Sequence, residues 1–336
     1  MKLKTLLMTV VAGAVVAGTA WAWGSTGHRL IGQEAMRALP DYVPDFMRTS
    51  QAVADVTEYA REPDRWRGSG KVHDSDRDAA HFIDLNDDGS TLAGTSLDTM
   101  PQTRFDYDAA VVAKGGQPWK AGYLPYAEVD AYQQVVKDMA YWRVESLLET
   151  RETDKAKKAW YHADRLRRED LVLRDIGIMA HYVGDATQPL HTSIHYNGWG
   201  DFPNPQAFTT DKIHVPLEGP YVAKYVTSEA VRAKIGAYVP CTDPILTCFT
   251  ARLKIANTLV VPMYQLEKDG GFKDGDPRGV TFMTQQVAKG AQDLRDTILD
   301  AWRDSKSMGI GWPATSYDDF VGNKVADPWT VVYGDD

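Results

Sequence analysis

His181-Tyr-Val-Gly-Asp185-Ala-Thr-Gln-Pro-Leu-His191 is the stretch from which the rest of this 336-residue chain is read. It closes a run that reads helical from about 154 to 188. On a helix His181 and Asp185 are four apart and share a face. Pro189 ends or kinks that helix, so His191 is presented from the turn that follows. A histidine beside an aspartate is, alone, an ordinary hydrogen-bonded pair. A second imidazole six residues on turns the reading toward a divalent zinc ion.

Working outward to the start of the chain, Lys2 and Lys4 precede an apolar run from Leu6 to Val16, then Ala20-Trp21-Ala22. A basic segment, an apolar segment and an Ala-x-Ala site read as a signal peptide over 1–22, hence an exported, periplasmic or secreted protein. Cleavage leaves Trp23 as the first of 314 residues (336 minus 22). No other segment reads as long and apolar enough to cross a bilayer. Without the two signal lysines the formal charge of −9 becomes −11, a poor basis for wide electrostatic wrapping of nucleic acid. Bound zinc ions would still supply local positive charge. Cys241 and Cys248 are the only cysteines, and export favours a local disulfide between them. Any zinc site therefore draws on His, Asp and Glu.

Helical periodicity dominates. Tyr132, Val135, Met139 and Trp142 form one stripe, and Val280, Met283, Val287, Ala291, Leu294 and Ile298 another, both read as core. A shorter helix covers Leu253 to Leu266, with Pro262 kinking or splitting it. Clear alternation is scarce, so the expected class is all-α. Gly122-Tyr-Leu-Pro125-Tyr126 reads as a turn feeding a helix. Long loops are expected at about 84–104, 192–224 and 303–336, as site-lining segments often are. No linker divides the chain: one domain over 23–305 and a C-terminal extension over 306–336, expected as a monomer.

Several histidines lie in clusters with acids: Trp23-Gly-Ser-Thr-Gly-His28, Arg61-Glu-Pro-Asp64-Arg-Trp-Arg67, His81-Phe-Ile-Asp84 and His214-Val-Pro-Leu-Glu218. With these in place the sequence resembles the zinc-dependent nucleases of the S-one/P-one type, which share a helical fold with bacterial zinc-dependent phospholipase C. That family carries a Trp-Gly-x-x-Gly-His start and a later His-x-x-Gly-Asp-x-x-Gln-Pro-Leu-His, and both stand here. The resemblance spans roughly 23–300.

It implies three zinc ions. Asp64, His81 and His181 would hold one together with Asp185. The amine and carbonyl of Trp23, with His28, would hold a second, bridged to the first by Asp185. His191, His214 and Glu218 would hold the third. The implied chemistry is phosphoester hydrolysis by a metal-activated water, with Asp64 as its orienting or proton-accepting partner and Arg67 at the phosphate. Phe82 and Asp84 match the positions that stack on and hydrogen-bond a nucleobase. The implied substrate is single-stranded DNA or RNA, and nucleotides through 3′-phosphate release. Glu218 departs from the nuclease pattern, which ends in Asp there, and matches the phospholipase C pattern. A phospholipid headgroup is therefore the alternative substrate, and a non-catalytic zinc-binding protein is a third reading from another class.

Other candidates have blander readings. His195 could line the cleft; His73 and His162 read as solvated surface. Asp84-x-Asn86-x-Asp88-Gly89 looks like half of a calcium loop, but position twelve is Thr95, so a polar turn fits better. Glu145, Glu149 and the charged residues up to Lys158 read as a solvated helix face.

Overall fold

The computed structural model describes residues 23–334, so the expected signal peptide lies outside the described residues. Nine helices of eight residues or longer occur among them: α1 (Ser25–Arg37), α2 (Ser50–Tyr59), α3 (Lys71–Asp78), α4 (Arg104–Ala113), α5 (Leu124–Arg151), α6 (Lys155–Asp185), α7 (Ile245–Asn257), α8 (Val260–Lys268) and α9 (Pro277–Asp304). No strand occurs among the described residues, only isolated bridges such as Ile83 with Gly122. The all-α expectation is met.

The centre is the antiparallel pair α5 and α6. Asp154 stops one helix from running into the next: its carboxylate accepts the amides of Ala156 and Lys157 and caps α6. Three residues, Glu152–Asp154, join two long helices, which forces them back along each other. The stripe of Tyr132, Val135 and Met139 is buried as expected, while Trp142 is half-buried and packs on Phe46 and Trp302. α1, α2 and α9 complete the layer around α6. α2 approaches α6 at Gly177, where a Cβ would come within 2.2 Å of the Tyr59 Cβ. Pro125 sits in the first turn of α5, after Gly122 at φ +87°.

Three readings are corrected here. The segment from Leu253, expected to be kinked or split at Pro262, is split earlier and begins earlier: α7 starts at Ile245 and α8 at Val260, the break falls at Thr258–Leu259, and Pro262 lies in the first turn of α8. By length and composition alone Ile245–Lys268 reaches the threshold of a membrane span, contrary to the expectation that no segment does. Its apolar residues Leu246, Phe249, Leu253, Val260, Met263 and Tyr264 are instead buried in the protein core. Glu145 is not on a solvated face: it is fully buried, near Asp164 and 3.7 Å from the Arg168 guanidinium. One helix's periodicity cannot reveal an ionic network that the neighbouring helix completes.

Burial, and then the Asp164 carboxylate, push the Glu145 carboxyl up to about 9. Because the folded value lies above the unfolded one, stability from this group is complete below about pH 4.5 and is lost as pH rises toward 9. Glu145→Gln should thus match wild type near pH 4 and exceed it at pH 8 by about 1–3 kcal/mol. Denaturant melts of both proteins at the two pH values check this; equal gaps at both would contradict it.

The C-terminal residues expected as loop form two short helices, Tyr317–Val321 and Pro328–Tyr333, against α5 and α6. Arg151 donates to the carbonyls of Phe320 and Val321, and Trp160 packs edge-on to Trp329 and Tyr333. Cys241 and Cys248 are joined in a disulfide.

Candidate metal centre

α6 delivers His181 and Asp185 on one face, and the short turn Pro189–Thr192 delivers His191. α1 brings His28 alongside: its ring stacks on His181 with centroids 3.8 Å apart. Gly184 makes that approach possible, since a Cβ there would sit 3.2 Å from His28 Nδ1. Asp64 comes from the turn Pro63–Trp66, His81 from the turn Ala79–His81, and His214 and Glu218 from the helical turns that begin at His214.

These side chains gather into three groups whose donor atoms lie within 4.8 Å of one another: His28, His181 and Asp185; Asp64, His81 and His181; His191, His214 and Glu218. Asp185 stands between them. Its Oδ2 is 3.1 Å from His81 Nδ1 and 3.4 Å from His181 Nε2. Its Oδ1 is 3.5 Å from His28 Nε2 and 4.0 Å from His191 Nδ1. In the third group Glu218 Oε1 lies 2.8 Å from His214 Nε2 and 3.3 Å from His191 Nε2.

The donor set fits a metal on two independent counts. Nε2 of His28, Oδ1 of Asp185 and Oε2 of Glu218 are buried without a hydrogen-bond partner. Such atoms are costly in a core and converge where a cation would satisfy them. Three imidazoles also have the arrangement typical of ligands, with the second nitrogen on a backbone carbonyl. Nδ1 of His181 donates to Ala60 at 2.8 Å, that of His214 to Tyr196 at 2.7 Å, and that of His191 to the carbonyl of His81. Each of these bonds fixes the tautomer whose Nε2 lone pair faces the group.

Electrostatics point the same way. Burial, then the neighbouring imidazoles and Arg67, hold His28 and His81 far below the ordinary histidine range. Burial takes His181 down to about 3. The rings are thus neutral, as metal ligands must be. Burial drives Asp185 well above the carboxylate range, and Asp64 up to about 6 against the pull of Arg67. Burial also acts to raise Glu218, but His214 and His191 outweigh it and hold its carboxyl low.

Trp23 is fully buried beside these groups. Its indole N–H donates to the Gly184 carbonyl at 2.7 Å, directly before Asp185. Gly24 presses on the third group's helix: a Cβ there would meet the Gly219 Cα at 2.8 Å. Arg67 Nε forms an ion pair with Asp64 Oδ1 at 2.9 Å.

Phe82 and Asp84 follow His81 on an extended segment pinned by Asp84 N–H to Ala121 and by Leu124 N–H to Phe82. Gly122 is obligatory here, because a Cβ would lie 2.1 Å from the Phe82 carbonyl oxygen. Asp84 Oδ1 is buried without a partner, and burial pushes its carboxyl up to about 8. Beyond it, Asp88 and Gly89 form a polar turn closed by the Ser90 amide on the Asp88 carboxylate.

His195 belongs to none of the three groups. It is buried, stacked on Trp199 at 3.7 Å, with Nε2 on the Asp87 carboxylate at 2.6 Å and Nδ1 on the Trp199 carbonyl at 2.9 Å. It braces the loop after Asp84 against the loop that supports His214. His73 is exposed, and the partly exposed His162 pairs with Glu149 at 2.9 Å.

Sequence reasoning quoted Gln188 without a role. Its side-chain amide donates to Glu218 Oε1, while its carbonyl oxygen accepts the Leu190 amide at 2.8 Å. The residue therefore aims the Glu218 carboxylate. Gln188→Leu should weaken metal binding by the third group by about 10–100-fold, the usual effect of losing an outer hydrogen bond to a ligand. Metal analysis after graded chelator dialysis would register one ion leaving early; retention equal to wild type would contradict the role.

Comparisons with protein-family models and with curated proteins return no match. Among solved structures six chains match. One is Clostridium perfringens alpha-toxin from avian strain SWCP, at 13% identity, covering 88% of this chain and 69% of that one with a TM-score of 0.33. A likeness that low adds nothing to the geometry: three donor groups in an all-helical frame, two of them joined through Asp185.

Proposed function

We propose that the protein is a metal-dependent phosphoester hydrolase that holds zinc in its three donor groups. The observation that carries this is the placement of Asp185, one oxygen toward His81 and His181 and the other toward His28. Zinc supplies a water of lowered pKa and positive charge against a phosphoryl group. The chain's own residues do the rest. Asp64, raised to about 6, accepts a proton near neutral pH or orients the attacking water. Arg67, one turn away, offers guanidinium N–H groups to the phosphate while its ion pair fixes Asp64. Buried surroundings exclude competing water and strengthen both effects.

Two substrate classes fit this centre. The nuclease reading rests on the Trp23 to His28 opening and on Phe82 with Asp84, an aromatic face beside a carboxyl that burial keeps protonated and free to hydrogen-bond a base. The phospholipase C reading rests on Glu218 and on exposed apolar side chains nearby. Trp119 is 56% exposed two residues before Ala121, the partner of Asp84, and Phe105 is 86% exposed on the neighbouring α4. Exposed aromatics of this kind suit a lipid surface, and the acidic net charge is ill matched to a polyanion.

The deciding experiment sets zinc-loaded protein starting at Trp23 against single-stranded DNA, single-stranded RNA and phosphatidylcholine vesicles in parallel. Nucleotide release supports the first reading and water-soluble phosphocholine the second. Inertness toward all three and toward bis(p-nitrophenyl) phosphate, with metal bound, would leave the non-catalytic zinc protein.

A further inference from the structure

At the C-terminal end of α1, away from the metal groups, a cavity of about 560 Å³ is lined by Arg37, Ala38, Arg232, Ile235 and Arg295. Every polar side chain on its wall is an arginine, in a chain of net charge −9. Arg37 lies nine residues after His28, roughly 13 Å along the helix axis. A second cavity of about 380 Å³ shares Arg37 and adds Arg48.

The guanidinium groups are held in place from behind. Glu34, fully buried, accepts Arg37 at 2.8 Å, Arg232 at 2.7 Å and the Ser228 hydroxyl at 2.6 Å. Arg295, only 7% exposed, donates to Asp296 at 2.6 Å and to the Gly236 carbonyl at 3.1 Å. Glu34 and Asp296 pair with these three guanidinium groups and Glu229 adds a further negative charge near Arg232, but no carboxylate is on the cavity wall. Among the described residues those bonds leave Nη2 of Arg37, Nη1 of Arg232 and Nη1 of Arg295 without a partner.

We infer that this cavity binds a small phosphate monoester. Planar guanidinium donors suit tetrahedral oxyanions, and ion pairs that fix them in advance reduce the ordering lost on binding. The volume lies within the small-molecule range and exceeds what a bare phosphate fills. Ile235 and Ala38 supply an apolar wall for the organic part. Burial of Arg295 lowers the screening at one of the three guanidinium groups, while Arg37 and Arg232 are open to solvent and act through a more screened charge. The site stands independently of the reaction proposed for the metal groups.

The test is equilibrium dialysis of zinc-replete protein against inorganic phosphate, 5′-AMP and uncharged adenosine. Ile235→Glu places a carboxylate among the arginines without touching the partners of Glu34 or Asp296; Ile235→Gln has the same shape without the charge. Both keep the metal groups, which contribute equally to each. The expected result is one equivalent of AMP beyond that held by the metal groups in wild type and Ile235→Gln, and that added equivalent weakened about tenfold or more in Ile235→Glu, most clearly at low salt. Ala38→Glu gives the same loss should Ile235→Glu disturb folding, which the thermal midpoint reports. AMP held more tightly than phosphate supports the monoester; phosphate held more tightly narrows the occupant to the free anion. Equal AMP binding by all variants, or adenosine binding as well as AMP, would overturn the site.

Discussion

Asp185→Ala should remove more than one metal ion and nearly all turnover. The two carboxylate oxygens face different donors, with His81 and His181 on one side and His28 on the other. Deleting them leaves His28 and His181 with no carboxylate in their group and takes an anion from beside His81, so a dication there is held by neutral rings alone and its neighbour is poorly compensated. Metal content should fall by at least two ions per chain, and turnover of a generic phosphodiester by about 10³-fold or more. A variant with the full wild-type complement of metal would contradict the sharing; one that loses a single ion would place Asp185 in one group only.

Placing a single residue ahead of Trp23 should be nearly as damaging. The indole is locked to Gly184, and Gly24 and Gly27 sit where a Cβ would lie 2.8 Å from Gly219 Cα and 2.9 Å from Trp23 Cβ. We propose that cleavage leaves Trp23 first, and a start packed this closely has no slack to reposition. An added residue turns a free amine, with a lone pair to give, into an amide that has none. We expect one metal ion fewer and activity lower by about 10²-fold. Mass spectrometry would verify the start of each protein, and metal analysis with a phosphodiester assay would compare them. Equal metal and equal activity in the extended protein would remove the amine from the donor set.

Much of the site was legible because its donors come in short local patterns. His181, Asp185 and His191 are separated by one helical turn and a proline, and that spacing survives into three dimensions with little help from elsewhere. What brings His28 beside His181 is different: a glycine at 184 that matters only once α1 lies across it. Gln188 was invisible as an orienting group because its partner, Glu218, is thirty residues away. Glu145 was misread for a related reason. Its own helix marks it as polar, but the neighbouring α6 supplies Arg168 and Asp164 and closes over it. Short helices in 306–334 escaped because one is anchored by the single buried Phe320 and the other by the aromatic contacts of Trp329 and Tyr333 with Trp160 and Tyr161, too few to create periodicity.

The partnerless atoms of His28, Asp185 and Glu218 have a consequence for the protein as a material. Each such atom costs about 1–3 kcal/mol in a folded interior, so the stripped chain carries a built-in instability at its centre. Every ion taken up reverses part of that burden and adds about 4 kcal/mol at a thousand times its dissociation constant. Heat resistance then becomes a gauge of the surroundings: the same polypeptide would be robust where zinc is abundant and vulnerable to proteases where a competitor sequesters it.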